Sequence, residues 1–200
     1  MGKQPVMLFI VRHGRTVANA RGLLQGRVDN PLDVEGRKQA DQIAKVLGPV
    51  DLVVSSPLQR AIQTAELLGL GLRIDERWIE LDYGDWDERP VTDISAEEWA
   101  AWRADASFAP PGGESLIELD QRVAAACDEL IPQAEKKNVA VFTHVSPIKS
   151  AVRWTLGVSE QISWHLNVGQ AQITRVGIRN GRPVLVAFNE TTHLQMKRPG

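Results

Sequence analysis

The sequence predicts an α/β sandwich built around a mixed sheet. Two observations carry this. Short, continuous apolar runs of strand length alternate with longer stretches whose apolar residues recur at helical spacing. Late in the chain, two strand-like runs meet at Asn180-Gly181, a dipeptide that favours a tight antiparallel hairpin.

The elements follow in order. Val6 to Val11 is a brief apolar run ending at a polar turn, as a buried strand does. From about Val34 to Leu47, Ala40, Ile43, Ala44 and Leu47 share one helical face, and Gly48-Pro49 stops the helix. Asp51 to Ser55 reads as a second buried strand. Leu58, Ala61, Ile62, Ala65 and Leu68 then mark a helix ending at Gly69. Residues 80 to 113 are irregular, with a short helix expected near Ala96 to Ala104. Leu116, Leu119, Val123, Ala126 and Leu130 mark a longer amphipathic helix that Pro132 should end or kink. Val139 to Thr143 is a third buried strand. Pro147 suits the first position of a helix continued by Ile148, Ala151, Val152 and Leu156. Residues 170 to 177 and 183 to 188 are the hairpin strands.

Length and composition fit one domain spanning 1–200, with 43% apolar and 24% charged residues. A net charge of -2 with mixed signs offers no basic stripe for nucleic acid and no cluster for a membrane surface. The lone cysteine, Cys127, excludes an internal disulfide framework and is expected to be a buried thiol. The first apolar run meets Arg12 too soon for a signal-peptide core or a membrane span, and Met1-Gly2 lacks the later serine or threonine of a myristoylation start. A cytoplasmic location is expected. The four histidines lack metal-type spacing, so no metal and no cofactor is expected, and His165 and His193 read as structural.

Chemistry gathers where strands end, which is where ligands collect in such sheets. Arg12-His13-Gly14 follows the first strand, Ser56-Pro57 with Arg60 follows the second, and His144 follows the third. Arginines suit bidentate phosphate binding. Gly14 would let the backbone approach an anion, and the helix near Leu58 would aim its positive end at the same place. A neutral imidazole there can attack phosphorus in line, but a carboxylic acid is still needed to protonate the departing alkoxide.

These strings resemble the histidine phosphatase superfamily, which includes the cofactor-dependent phosphoglycerate mutases. Arg12, His13, Gly14, Thr16 and Asn19 fit its Arg-His-Gly-x-Thr-x-x-Asn pattern. Gln25-Gly26, Pro31-Leu32 and Gly36 through Ala40 follow it in order. Ser55 through Ala61, Glu80 through Trp86, Pro111 through Ser115 and Thr143-His144 complete the set. The resemblance implies a three-layer α/β/α sandwich around a mostly parallel mixed sheet, of the phosphoglycerate mutase-like kind. It implies that His13 becomes phosphohistidine, that Arg12, Arg60 and His144 bind the phosphoryl oxygens, and that Glu80 is the general acid. Thr16, Asn19 and Gln25 are then substrate-binding candidates, with Asn19 and Gln25 balanced between ligand contact and loop structure. Family members often carry Trp-Glu-Gly after the acid, whereas Trp86 is followed here by Asp87, Glu88 and Arg89. Asp82 is the nearest rival to Glu80.

The expected activity is metal-independent hydrolysis of a small phosphate monoester, fastest at mildly acidic to neutral pH. Two other readings remain: a mutase that passes the phosphoryl group to a second hydroxyl, and a phospho-ligand binder without turnover. Residues 85 to 113 contain only Arg89 and Arg103 as bases, few cations to hold a phosphoglycerate. Trp99, Trp102 and Phe108 could line an apolar mouth, but core packing is the favoured reading. The hairpin or exposed aromatics could pair two chains into a homodimer.

Overall fold

The computed structural model describes residues 6–194. Six strands form one sheet: β1 (Leu8–Arg12), β2 (Leu52–Ser55), β3 (Leu72–Ile74), β4 (Val139–Thr143), β5 (Ile173–Arg179) and β6 (Arg182–Glu190). Their order is β3-β2-β4-β1-β5-β6. The first four are mutually parallel, and β5 and β6 are antiparallel additions on the β1 side. The mostly parallel mixed sheet implied by the sequence is therefore present.

Among the described residues, six α-helices accompany it: α1 (Val17–Ala20), α2 (Val34–Val46), α3 (Gln59–Ala65), α4 (Ala96–Ala104), α5 (Leu116–Ala134) and α6 (Val145–Leu156). Strand alternation divides the core into two layers. Leu8 and Ile10 of β1, with Val139 and Val141 of β4, face Leu119, Val123, Ala126 and Ile148 from α5 and α6. Phe9 and Val11, with Ala140 and Phe142, face Ile43 and Ala61 from α2 and α3. That is the three-layer arrangement.

Local chemistry sets the element ends. Ser95 and Ser115 cap α4 and α5 in reciprocal boxes with Glu98 and Glu118. Asn180 and Gly181 both take positive φ, as the tight hairpin requires. The first strand starts at Leu8 rather than Val6 and runs through Arg12; Met1-Gly2 lies outside the described residues. The second helix of the sequence reading closes earlier, at Ala65, with Glu66–Leu68 as a tighter turn before Gly69. Pro132 does not stop α5 at once; the helix ends two residues later. Pro147 is the third residue of α6, not the first. First-turn N–H groups lack intrahelical partners anyway, so proline there removes no helix bond. Two elements had no periodicity to reveal them: α1 is a single turn, and β3 is a three-residue edge strand.

Candidate active site

His13 and His144 stand just beyond β1 and β4, which pair in parallel up to Arg12 opposite Thr143. The His13 amide donates to the Thr143 carbonyl at 3.0 Å. The two imidazoles lie with centroids 5.0 Å apart, and both are buried. His13 Nδ1 sits 2.7 Å from the Gly14 carbonyl, which can only accept. That bond places the proton on Nδ1 and leaves the Nε2 lone pair free.

Arg60 occupies the first turn of α3 and is fully buried. Its Nε donates to His144 Nδ1 at 3.2 Å, so His144 carries its proton on Nε2 and donates it to Ser56 Oγ at 2.7 Å. The rest of the Arg60 fork donates to the Val28 and Gly26 carbonyls at 2.8 and 2.6 Å. Arg12 Nη1 donates to the Val168 carbonyl at 2.7 Å. Buried N–H donors on Arg12 Nε and Gln25 Nε2 have no partner among the described residues.

Burial, with Arg60 and then Arg12 nearby, holds the His13 imidazole well below its usual value of 6.5, partly offset by the Gly14 carbonyl. Burial and Arg60 do the same to His144. Burial also lowers Arg60 to about 10, which leaves it charged at neutral pH. The pocket thus sets two neutral imidazoles against guanidinium groups. Because the folded protein binds fewer protons here than the unfolded chain, this contribution to stability is full above about pH 6.5 and is lost as pH falls through it. Urea unfolding should therefore show lower stability at pH 5.5 than at 7.5, and His13→Asn should flatten part of that slope. Equal stability at both values would contradict buried neutral imidazoles.

Glu80 is also buried, and backbone amides hold it. Val145 N donates to Oε2 at 3.0 Å, Ser146 N to Oε1 at 3.1 Å, and Leu81 N to Oε1 at 2.8 Å. The first two are free first-turn amides of α6, so this helix terminus receives the carboxylate. The sequence had assigned an anion-facing terminus to the helix near Leu58 instead. There the Gln59 amide is taken by Asp29 at 2.7 Å. Asp82, the rival acid, is turned to Gly84 N and to Arg27.

Thr16, Asn19 and Gln25 form a linked group. Thr16 and Asn19 cap α1 reciprocally, and Thr16 Oγ1 donates to Gln25 Oε1 at 2.7 Å. Gly14 serves packing as well: a Cβ there would collide with the Gly36 carbonyl at the start of α2, and its amide is taken by Thr64.

Sequence reasoning missed several supports. Ser56 holds His144. Arg122 reaches from α5 to the carbonyls of Arg77, Ile79 and Glu80, fixing the segment that carries the acid. Asp87 accepts the amides of Gly26, Arg27 and Val28 at 2.8, 2.9 and 3.0 Å. The same loop gives its Gly26 and Val28 carbonyls to Arg60. The unusual Asp87-Glu88 pair was visible in the sequence, but its partner loop, some sixty residues away, was not. Asp87→Ala should leave three amides unpaired and loosen Arg60. Stability should drop by about 1–3 kcal/mol and phosphate affinity should weaken with it, measurable by thermal melts with and without phosphate. Glu88 stands where relatives in the resemblance carry glycine, and its φ is +63°. Glu88→Gly should raise stability by up to about 1 kcal/mol in the same melts, because glycine carries no Cβ penalty there.

Trp102 is core, as expected, and Phe108 packs on Trp86 and Trp102. Trp99 and Trp102 also line a cavity of about 150 Å³ beside Glu80, together with Trp164. Cys127 is buried, and burial pushes its thiol up. His193 Nε2 lies against the Ala171 carbonyl at 2.9 Å, whereas His165 is exposed. Among the described residues there is no cluster able to hold a metal ion, and no helix long and apolar enough to cross a membrane.

A buried histidine with a free Nε2 thus lies among guanidinium groups and a helix-held carboxylate at the strand ends of a mostly parallel sheet. The chain belongs to the histidine phosphatase superfamily (branch 1), whose pattern matches residues 8–191. It is 32% identical over 180 residues to a bifunctional protein of Mycobacterium tuberculosis, covering 85% of this chain but 50% of that one. The chain thus spans about half the length of the curated relatives it matches first. It is 31% identical over 192 residues to the adenosylcobalamin/alpha-ribazole phosphatase of Escherichia coli, covering 91% of this chain and 95% of that one. Its fold is similar to that of a phosphoserine phosphatase mutant from Entamoeba histolytica in complex with phosphoserine. The TM-score is 0.87 at 27% identity, covering 94% and 98% of the two chains.

Proposed function

We propose that the chain is a metal-independent phosphomonoesterase acting on a small phosphorylated metabolite through phosphohistidine at His13. The observation that carries this is the single buried cluster of His13, His144 and Arg60 beside the amide-held Glu80. In the first step, His13 Nε2 forms a bond to phosphorus as the ester P–O bond breaks. Glu80 gives its proton to the departing oxygen. In the second step, Glu80 takes a proton from water, and that water displaces His13 and releases orthophosphate. Arg12 and Arg60, with the His144 Nε2–H turned from Ser56, balance charge on the transferring oxygens. The unpartnered Arg12 Nε and Gln25 Nε2 are donors that a phosphoryl group would satisfy. Thr16 and Asn19 shape the rim through their shared cap.

Hydrolysis is favoured over mutase transfer by the fate of the two bases in 85–113. Arg89 lies over Trp86 and donates to the Asp93 carbonyl, and Arg103 lies over Trp99 and Trp164. Arg89 is committed to these partners, which leaves Arg103 as the one base of this segment without a carboxylate partner among the described residues, few cations to hold a phosphoglycerate. Two of the similar proteins are named as phosphatases, one for adenosylcobalamin/alpha-ribazole and one for phosphoserine, which supports the same reading.

The test is hydrolysis of a panel of phosphate monoesters without added metal, with acid-labile phosphate trapped on the protein. Turnover with a trapped phosphohistidine supports the proposal. Tight phospho-ligand binding without turnover would make the chain a binder, and isomerised phosphate ester without free orthophosphate would make it a mutase.

A further inference from the structure

The cavity beside Glu80 carries information about the leaving group. Val145 and Ser146, whose amides hold the Glu80 carboxylate, also line this cavity. The cavity therefore adjoins the acid through Leu81, Val145 and Ser146, although Glu80 itself does not line it. The walls are aromatic. Trp99 and Trp102 stack with centroids 5.6 Å apart and planes within 8°. Trp164 meets both edge-on, at 6.4 and 5.3 Å. Tyr83 closes one side, its hydroxyl 3.4 Å from Ser146 Oγ. Such faces and edges favour a planar ring over a hydroxylated sugar, whose polar groups would find few partners.

Two cations border this aromatic space: Arg103 lies over Trp99 and Trp164, and Lys149 is part of the cavity lining itself. Lys149 projects from α6 into the cavity lining, half-buried, with no carboxylate in salt-bridge range among the described residues. The other carboxylates around α6 are committed: Asp120 and Glu160 pair with Arg153. Glu80 is held by the three amides. A half-buried lysine without a bonded anion is a donor that a ligand carboxylate could engage.

We propose that this cavity is the leaving-group site and that it selects monoesters whose alcohol carries an aromatic ring with an anionic substituent, the ring lying among Trp99, Trp102 and Trp164 and the anion on Lys149. This rests on the phosphomonoesterase reading for its catalytic consequence, but the cavity's affinity for the alcohol does not depend on turnover. Lys149 is then a specificity residue and takes no part in proton transfer.

The test compares 4-carboxybenzyl, benzyl and n-propyl phosphate, esters of primary alcohols in which ring and charge are added in turn. The wild type should prefer the carboxylated ring over benzyl by about tenfold or more in kcat/KM, the scale of one charge-assisted hydrogen bond. Benzyl should exceed propyl several-fold. Lys149→Met should bring the carboxybenzyl-to-benzyl ratio close to one, and Trp164→Ala should bring benzyl towards propyl. A Lys149→Met protein that slows all three esters by one factor, keeping the ratios, would overturn the proposal and make the lysine a partner of Glu80. A wild type without either preference would overturn it too. Tryptophan fluorescence titrated with 4-(hydroxymethyl)benzoate, the released alcohol, separates the two readings. Saturable quenching that Lys149→Met weakens, with no hydrolysis of any ester, would keep the cavity assignment and sink the phosphatase. Hydrolysis with no quenching and no preference would do the reverse.

Discussion

His13→Ala should lower phosphomonoester turnover by at least about 10³-fold and abolish the acid-labile phosphoprotein. The proposed route makes its first covalent bond to His13 Nε2, the one ring nitrogen that the Gly14 carbonyl leaves unbonded. No other group in the pocket is equally placed to substitute. His144 is the nearest imidazole, but its Nδ1 lone pair is held by Arg60 and its Nε2 proton is directed at Ser56. The variant removes a buried ring, so folding must be checked by circular dichroism alongside the assay. A folded variant should still bind the ester, because the arginines remain. Turnover within tenfold of wild type in that folded protein would mean direct attack by water, and the phosphohistidine route would fall.

The second large effect is at Glu80. Glu80→Gln keeps the shape of the side chain but cannot give or take a proton. For alkyl phosphates, whose leaving alkoxide is strongly basic, kcat should fall by about 10²–10⁴-fold. For p-nitrophenyl phosphate, whose phenolate departs without a proton, the first step should be hurt far less. Phosphohistidine should then accumulate, because water activation in the second step still needs the base. Glutamine also turns one N–H₂ group towards the amides of Leu81, Val145 and Ser146, which now point only at a carboxylate. Some stability loss is expected on that account. An equal rate loss on both esters, with no accumulation, would reduce Glu80 to a structural anchor for α6.

Much of this site could be read from the chain because its groups sit at strand ends. A buried strand announces itself by a continuous apolar run, and its end is where polarity returns. Arg12-His13, Ser56 through Arg60, and Thr143-His144 were all found by that rule, and β2, β4 and β1 are neighbours in the sheet. Glu80 was legible only by resemblance, since nothing local separates it from Asp82, Asp85 or Asp87. What distinguishes it is the α6 terminus more than sixty residues away, a tertiary fact. Lys149 could not be tied to the cavity from sequence, because Trp99, Trp102 and Trp164 meet it only in the fold. The hairpin was marked by turn chemistry at Asn180-Gly181, whereas β3 is held by pairing to β2 more than by its own three residues. Asp87 shows the converse case. Its departure from the common Trp-Glu-Gly string was visible, but its three bonds depend on the loop at 26–28.

The pairing of β1 with β4 also sets when the proposed site can form. His13 directly follows β1, yet the strand that leads to His144 begins only at Val139. Between them the chain must close a loop of well over a hundred residues, the kind of long-range contact that slows folding. Until β4 pairs, Arg12, His13 and Arg60 lack both His144 and the α6 amides that hold Glu80, so the proposed activity should report completion of the central sheet. Recovery of activity after dilution from denaturant should coincide with the slowest phase of sheet assembly, never precede it.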